Sequence, residues 1–177
     1  MASTNKKKIK HFVLDVDGVL TDGTFWYSDE GKILKRFGPD DSDAIHLLKP
    51  YAEVLAISGD KRGFPISKKR VEEDMGLPLF QVSTFDRVSW MKERYDLDEV
   101  AYMGDGIFDA MVFAKVGYSI APANASKAVQ AHADYVTQTK GGGGAVAEAC
   151  FHLLELFFEK PDIMNLSIDG GEWATDK

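Results

Sequence analysis

Two pairs of acids stand where chemistry is expected. Asp15 and Asp17 fall one residue apart in the stretch HFVLDVDGVLTDG, residues 11–23, directly after apolar Phe12, Val13 and Leu14. Asp105 and Asp109 lie in Met103-Gly104-Asp105-Gly106-Ile107-Phe108-Asp109, which also follows a strand-like stretch, 100–103. A short apolar run of this kind predicts a buried parallel strand, and in an open α/β sheet ligands bind just beyond the carboxyl ends of such strands. Neighbouring carboxylates repel and are hard to keep ionised without a cation between them. A hard, oxygen-liganded ion such as Mg²⁺ is the first inference. Alone, Asp15 and Asp17 are equally a strand ending in a polar turn. The second acidic cluster shifts that balance, because two acid-tipped strand ends can converge on one metal. The expected arrangement gathers the side chains of Asp15, Asp17, Asp105 and Asp109 about a single divalent cation.

An aspartate at a strand end can attack phosphorus and form an acyl phosphate. Asp15, the first acid after the apolar run, suits that role. Asp17 is placed to protonate the leaving alkoxide and then deprotonate the attacking water. Carboxylate attack on a phosphate dianion needs the charge screened by Mg²⁺ and by cationic or hydroxyl donors. Ser58 and Gly59 close a second apolar run, 54–57, and are candidates to bind the phosphoryl group. The expected cation is Arg87, with Lys61, Arg62, Lys68, Lys69, Arg70 and Lys92 as alternatives. His11, His46, His132 and His152 lack metal-ligand spacing. Cys150 lies among Ala145, Val146, Phe151, Leu153 and Leu154 and reads as a buried helix residue rather than a nucleophile. Glycines 141–144 lack the Lys-Ser/Thr of a phosphate-binding P-loop and read as a flexible entry to the last helix.

These residues need an α/β frame to carry them. Strand signals at 12–14, 54–57, 79–82, 100–103, 118–120 and 135–136 alternate with helix signals at 40–49, 66–75, 84–95, 107–115, 126–131 and 145–159. That alternation predicts a doubly wound parallel sheet covered on both faces. Asp40 or Asp41 is expected to cap the first helix and Thr84 the third. Aromatic and β-branched residues around Ser28-Asp29-Glu30-Gly31 predict a β-hairpin flap at 24–37. The chain of 177 residues suits one domain, 1–160, followed by an acidic tail, 161–177, either disordered or docked. Ordinary composition (45% hydrophobic, 28% charged) indicates a soluble globular protein. A net charge of −7 argues against nucleic acid or an anionic membrane as partner. No run approaches the ~20 apolar residues of a bilayer span. One cysteine excludes an intrachain disulfide, and MASTNKKKIK does not read as a secretory signal. A cytoplasmic setting is expected.

Asp15-Val16-Asp17-Gly18-Val19-Leu20-Thr21, Ser58-Gly59, a basic residue and Gly104-Asp105-Gly106-Ile107-Phe108-Asp109 resemble, in order and spacing, the four motifs of the haloacid dehalogenase superfamily of phosphatases. The aromatic hairpin, AISG, AYMGD, ADYVT and GGGGAVAE are similar to its 3-deoxy-octulosonate 8-phosphate phosphatase group, whose relatives act on nonulosonate 9-phosphates. The resemblance implies Asp15 as nucleophile, Asp17 as acid/base, Ser58 on the phosphoryl group, and Arg87 where the group usually has lysine. It implies Mg²⁺ held by Asp15, the Asp17 backbone carbonyl and Asp105, with Asp109 as a further or indirect contact. The intervals between motifs, about 40 and about 28 residues, leave no room for a cap domain. The resemblance therefore implies a homotetramer in which each hairpin covers a neighbour's site; the alternative is that Phe25, Trp26 and Tyr27 pack on their own domain.

Three departures bear on the substrate. Asp60 stands where the group has Arg, Asp40-Asp41-Ser42-Asp43-Ala44-Ile45 loses a basic residue and two glycines, and Ala147 replaces another Arg. A sugar-acid carboxylate would then be poorly paired, costing about 1–3 kcal/mol per lost charged hydrogen bond. The expected function is Mg²⁺-dependent hydrolysis of a small sugar or sugar-acid phosphate through an aspartyl-phosphate. The alternatives are a phosphatase of a non-acidic ester, a mutase, and a non-enzymatic oligomerisation or regulatory module that keeps the fold.

Overall fold

The structure, a computed structural model, describes residues 8–165. Expectations for the tail beyond Asn165, and for the first seven residues, lie outside the described residues. The frame is a six-stranded sheet in the order β5-β4-β1-β6-β7-β8. The strands are β1 (His11–Asp15), β4 (Glu53–Ser58), β5 (Leu79–Gln81), β6 (Val100–Met103), β7 (Tyr118–Ala121) and β8 (Tyr135–Val136). All neighbours run parallel. β1 pairs with β4 on one side and β6 on the other. The chain thus reverses its direction of winding at β1, the place where an open α/β sheet forms its ligand crevice.

Alternation along the central strands builds two cores. Phe12 and Leu14 of β1 face α1 (Asp40–Leu48) and α6 (Ala145–Phe157), through Ala44, Ile45 and Leu48 on the first helix and Ala149, Cys150 and Leu153 on the second. Val13 faces the opposite side, with Met91 of α3 (Arg87–Lys92), Val112 and Phe113 of α4 (Asp109–Phe113), and Val129 of α5 (Lys127–Gln130). Both faces of the sheet are covered, as a parallel sheet requires. The helix α2 (Phe64–Lys68), which runs on as a wider helical turn through Asp74, adds Val71 to the first core. The hairpin is a separate antiparallel pair, β2 (Trp26–Ser28) and β3 (Gly31–Leu34).

Three local expectations are corrected. α1 has Pro39 at its N-cap with no side-chain bond. Asp41, 1% exposed, instead turns its Oδ1 to the backbone N–H of Ala147 at 2.9 Å, serving the start of α6. The long-range partner wins because a 13-residue helix presents several unsatisfied N–H groups where Asp41 is buried. Thr84 does not cap α3, which begins three residues later at Arg87 without a side-chain cap; its hydroxyl packs close to Gly59. The glycine run is no loose entry. Gly141 and Gly142 are buried, and a Cβ on Gly141 would collide with the Gly18 carbonyl oxygen. Glycine is required there for close backbone approach.

Candidate active site

Asp15 ends β1 and is 5% exposed. Its Oδ1 accepts the N–H of Val16 at 2.8 Å, and its Oδ2 accepts Nη1 of Arg87 at 2.8 Å. The chain then turns through Gly18, whose φ of +86° and crowding against the Asp105 carboxylate exclude any side chain. Thr21 fastens this loop: its Oγ1 accepts the N–H groups of Gly18 at 3.1 Å and Gly23 at 3.3 Å. Asn124 ties it to the glycine run, donating to the Gly18 carbonyl at 2.8 Å and accepting the Gly141 N–H at 2.7 Å.

The second pair of acids arrives on the strand beside β1. Asp109, 1% exposed at the start of α4, accepts the Gly106 N–H at 2.8 Å through Oδ2. Its Oδ1 accepts Arg87 Nη1 at 2.5 Å and the Tyr102 hydroxyl at 2.8 Å. The same Nη1 lies 2.7 Å from the Tyr102 oxygen. One carboxylate oxygen from each of Asp15, Asp105 and Asp109 lies within 4.8 Å of the others. Asp15 and Asp109 therefore share one guanidinium, with Asp105 beside them. Burial, opposed by Arg87 and reinforced by Asp109 and Asp105, pushes Asp15 up to about 7. Burial and the charge of Asp109 push Asp105 up to about 6. These carboxylates carry more negative charge than Arg87 can offset, and a hard divalent cation with oxygen ligands fits that donor set.

The Asp17 carboxylate is not part of this trio, contrary to the expectation that four acid side chains gather together. Its Oδ1 lies 2.7 Å from Lys35 Nζ, and its Oδ2 accepts the Ser58 hydroxyl at 3.3 Å. The physical reason is Lys35, whose fully buried ammonium draws the carboxylate toward the hairpin. Ser58, fully buried at the end of β4, also accepts the Asp60 N–H at 3.2 Å, with Gly59 packed against Thr84. Of the candidate cations, Arg87 reaches the acids. Lys68, Lys69 and Arg70 instead face Glu72, Glu73 and Asp74 along their own helix. Cys150 is buried in α6, where burial raises its thiol well above its ordinary value.

The geometry has known counterparts. Residues 90–149 match the family described as haloacid dehalogenase-like hydrolase. The chain is 36% identical over 154 residues to the 3-deoxy-D-manno-octulosonate 8-phosphate phosphatase KdsC of Salmonella typhi, covering 85% of this chain and 82% of that one. The chain belongs to the haloacid dehalogenase phosphatases. Among solved structures, the cobalt-bound octulosonate 8-phosphate phosphatase of Haemophilus influenzae superposes with a TM-score of 0.75 at 33% identity, covering 85% of this chain and 90% of that one. The Moraxella catarrhalis phosphatase, in complex with magnesium, phosphate and KDO, gives 0.73 at 29% identity over 85% and 88% of the two chains.

In this phosphatase, sequence reasoning missed Lys35, Tyr102 and Asn124 as parts of the site. Lys35 is buried while its strand neighbours Ile33 and Leu34 are 49% and 57% exposed, which inverts the apolar-in pattern of an ordinary strand. Tyr102 reads as one more apolar residue of β6. Asn124 lies in a loop with no motif of its own. Among the described residues, no helix is long and apolar enough to cross a membrane.

Proposed function

We infer that this phosphatase hydrolyses a small sugar-acid phosphate by attack of the Asp15 carboxylate on phosphorus. The observation that carries the reading is the gathering of Asp15, Asp105 and Asp109 at the carboxyl ends of two adjacent strands, with Arg87 bonded to the first and the last. Asp15, with one oxygen held by the Val16 N–H, forms the new bond to phosphorus as the ester bond breaks. Asp17 gives its proton to the departing alkoxide and later takes one from the water that opens the aspartyl-phosphate. Ser58 and the N–H groups of the loop behind it bind the phosphoryl oxygens, and Arg87 offsets their charge. Asp15, Asp105 and the Asp17 backbone carbonyl would hold Mg²⁺, with Asp109 alongside; the ion screens the repulsion between the nucleophile and the phosphate dianion.

Octulosonate 8-phosphate is the first substrate expected, from the likeness to the Salmonella typhi and Moraxella catarrhalis enzymes, with nonulosonate 9-phosphates next. A second reading, a less acidic phosphate ester, is favoured by Asp60 and Ala147 standing where the group carries arginine. Small substrates need closure over an open site, and the exposed hairpin aromatics favour a homotetramer in which each flap covers a neighbour.

Two measurements test the reading. Release of p-nitrophenol from its phosphate should require Mg²⁺ and fall at least about 10³-fold in Asp15→Asn; unchanged activity in that variant would defeat the nucleophile assignment. A panel of octulosonate, nonulosonate and neutral hexose phosphates, ranked by kcat/KM, decides the substrate. Preference for a neutral ester would overturn the sugar-acid reading.

A further inference from the structure

Beneath the hairpin lies a second polar cluster, separate from the acid trio. Lys35, whose side chain is fully buried, places Nζ 2.7 Å from Asp17 Oδ1, 2.9 Å from Asp60 Oδ2 and 2.9 Å from the Ser67 hydroxyl. The ammonium donates to the Ser67 hydroxyl and forms ion pairs with both carboxylates. Lys32 joins the cluster at 2.5 Å from the same Asp60 oxygen and lies 3.4 Å from the centre of the Phe25 ring. Asp60 is further held by the Gly63 N–H at 3.1 Å. Burial alone would raise Asp60, but the bonds from Lys32 and Lys35 outweigh it and bring it down to about 2, so it stands fully charged. Two lysines from the flap thus meet two aspartates of the domain. A buried ammonium is tolerated only when paired and hydrogen-bonded in this way.

The network bears on Asp17 in particular. Lys35 holds one oxygen and Ser58 the other, so the carboxylate is kept on the Ser58 side, away from Asp15, Asp105 and Asp109. Asp60, 2.9 Å from the ammonium, is the anchor that seats Lys35. We propose that Lys35 is a positioning residue for the proton transfer assigned to Asp17, coupling an ordered flap to leaving-group departure. The proposal deepens the phosphatase reading above and rests on it. Without Lys35, the Asp17 carboxylate keeps only the Ser58 contact and is no longer held toward the leaving oxygen.

The test is a set of substituted phenyl phosphates whose phenols span acidic to weakly acidic, with kcat/KM measured in saturating Mg²⁺. A good leaving group departs without a proton and a poor one does not, and general acid catalysis is worth about 10²–10⁴-fold. Lys35→Met is expected to lose at least about 10-fold more on the poorest leaving group than on p-nitrophenyl phosphate. Asp17→Asn should show the same steepened dependence, and Lys35→Arg should restore much of the wild-type slope. An equal loss across the set in Lys35→Met, with the wild type active, would overturn the proposal alone. No phosphate release by the wild type from any ester would overturn it together with the phosphatase reading. Should Lys35→Met fail to fold, Asp60→Asn carries the test. It removes the anchor from a partly exposed position, and a slope like the wild type's there would equally overturn the proposal.

Discussion

Asp15, Asp105 and Asp109 present more negative charge than Arg87 balances, and this makes metal binding a competition with protons. Burial holds Asp15 near 7 and Asp105 near 6, above the usual carboxylate value of 3.8. Between those limits the folded chain keeps protons that the unfolded chain has released, so stability contributed by these groups falls as pH rises through that window. Mg²⁺, held as proposed by the ionised carboxylates, should restore it. The expected outcome is a Mg²⁺-induced rise in Tm of about 5 °C or more at pH 8, with Mg²⁺ at a hundredfold excess over its Kd, and a much smaller rise at pH 5. Thermal scans with Mg²⁺ against chelator check this, and equal shifts at the two pH values would reject it.

Arg87 offers a sharper case. Arginine and lysine are not interchangeable where the guanidinium fork is used bidentately. Here a single nitrogen, Nη1, makes every contact with Asp15, Asp109 and Tyr102, and Nε has no hydrogen-bond partner. A point charge would do the same work. Arg87→Lys is therefore expected to keep kcat within about 10-fold of wild type, whereas Arg87→Met should lose about 100-fold or more. Steady-state kinetics on p-nitrophenyl phosphate separate the two. The acids were legible from spacing alone, because two carboxylates at a strand end have no packing purpose. Lys35 and Tyr102 were not, since burial of a lysine inside a flap, and a hydroxyl at the end of an apolar strand, leave no periodic trace.

The strands were legible for a related reason: continuous apolar runs such as 12–14 and 54–57 have few homes other than a sheet buried on both faces. What could not be read was long-range capture of local signals, as when Asp41 leaves its own helix for the start of α6. The glycine run is the plainest instance, because four glycines suggest freedom when read alone. In the fold, Gly141 and Gly142 are pressed against the backbone of the loop that carries Asp17, and Gly142 donates to the Val19 carbonyl at 3.2 Å. Gly143, by contrast, has only the Lys140 oxygen at 3.3 Å from a would-be Cβ and no positive φ. Gly141→Ala is expected to destabilise by about 2 kcal/mol or more and to depress kcat by displacing that loop. Gly143→Ala should stay within about 0.5 kcal/mol. Urea unfolding of both, beside their phosphatase rates, tests the pair; equal tolerance would mean that the loop yields without consequence.

Taken as a whole, the molecule leaves its apolar surface in places a lone domain does not need. Trp26 and Tyr27 are 62% and 56% exposed, while Phe25, 41% exposed, lies under Lys32 with the ammonium 3.4 Å from the centre of its ring. Phe85, Ile107, Phe108 and Met111 are also exposed, on loops and the helix that flank Arg87 and Asp109, with the rings of Phe85 and Phe108 4.9 Å apart. A two-stranded hairpin has no independent stability in water, and this one is tied to its domain through Lys32 and Lys35 rather than through its aromatics. The exposed flap and the exposed rim of the site are both apolar, and such patches mark interfaces. The chain is therefore expected to run as an oligomer, a tetramer in the simplest reading, when light scattering is recorded at micromolar concentration. Replacing Trp26 and Leu34 together by serine should shift it toward monomer and raise KM for a sugar phosphate more than it lowers kcat, because closure is lost while the acids stay in place. A wild-type monomer with full activity would show instead that the site works open, and that the hairpin serves its own domain through Lys35 alone.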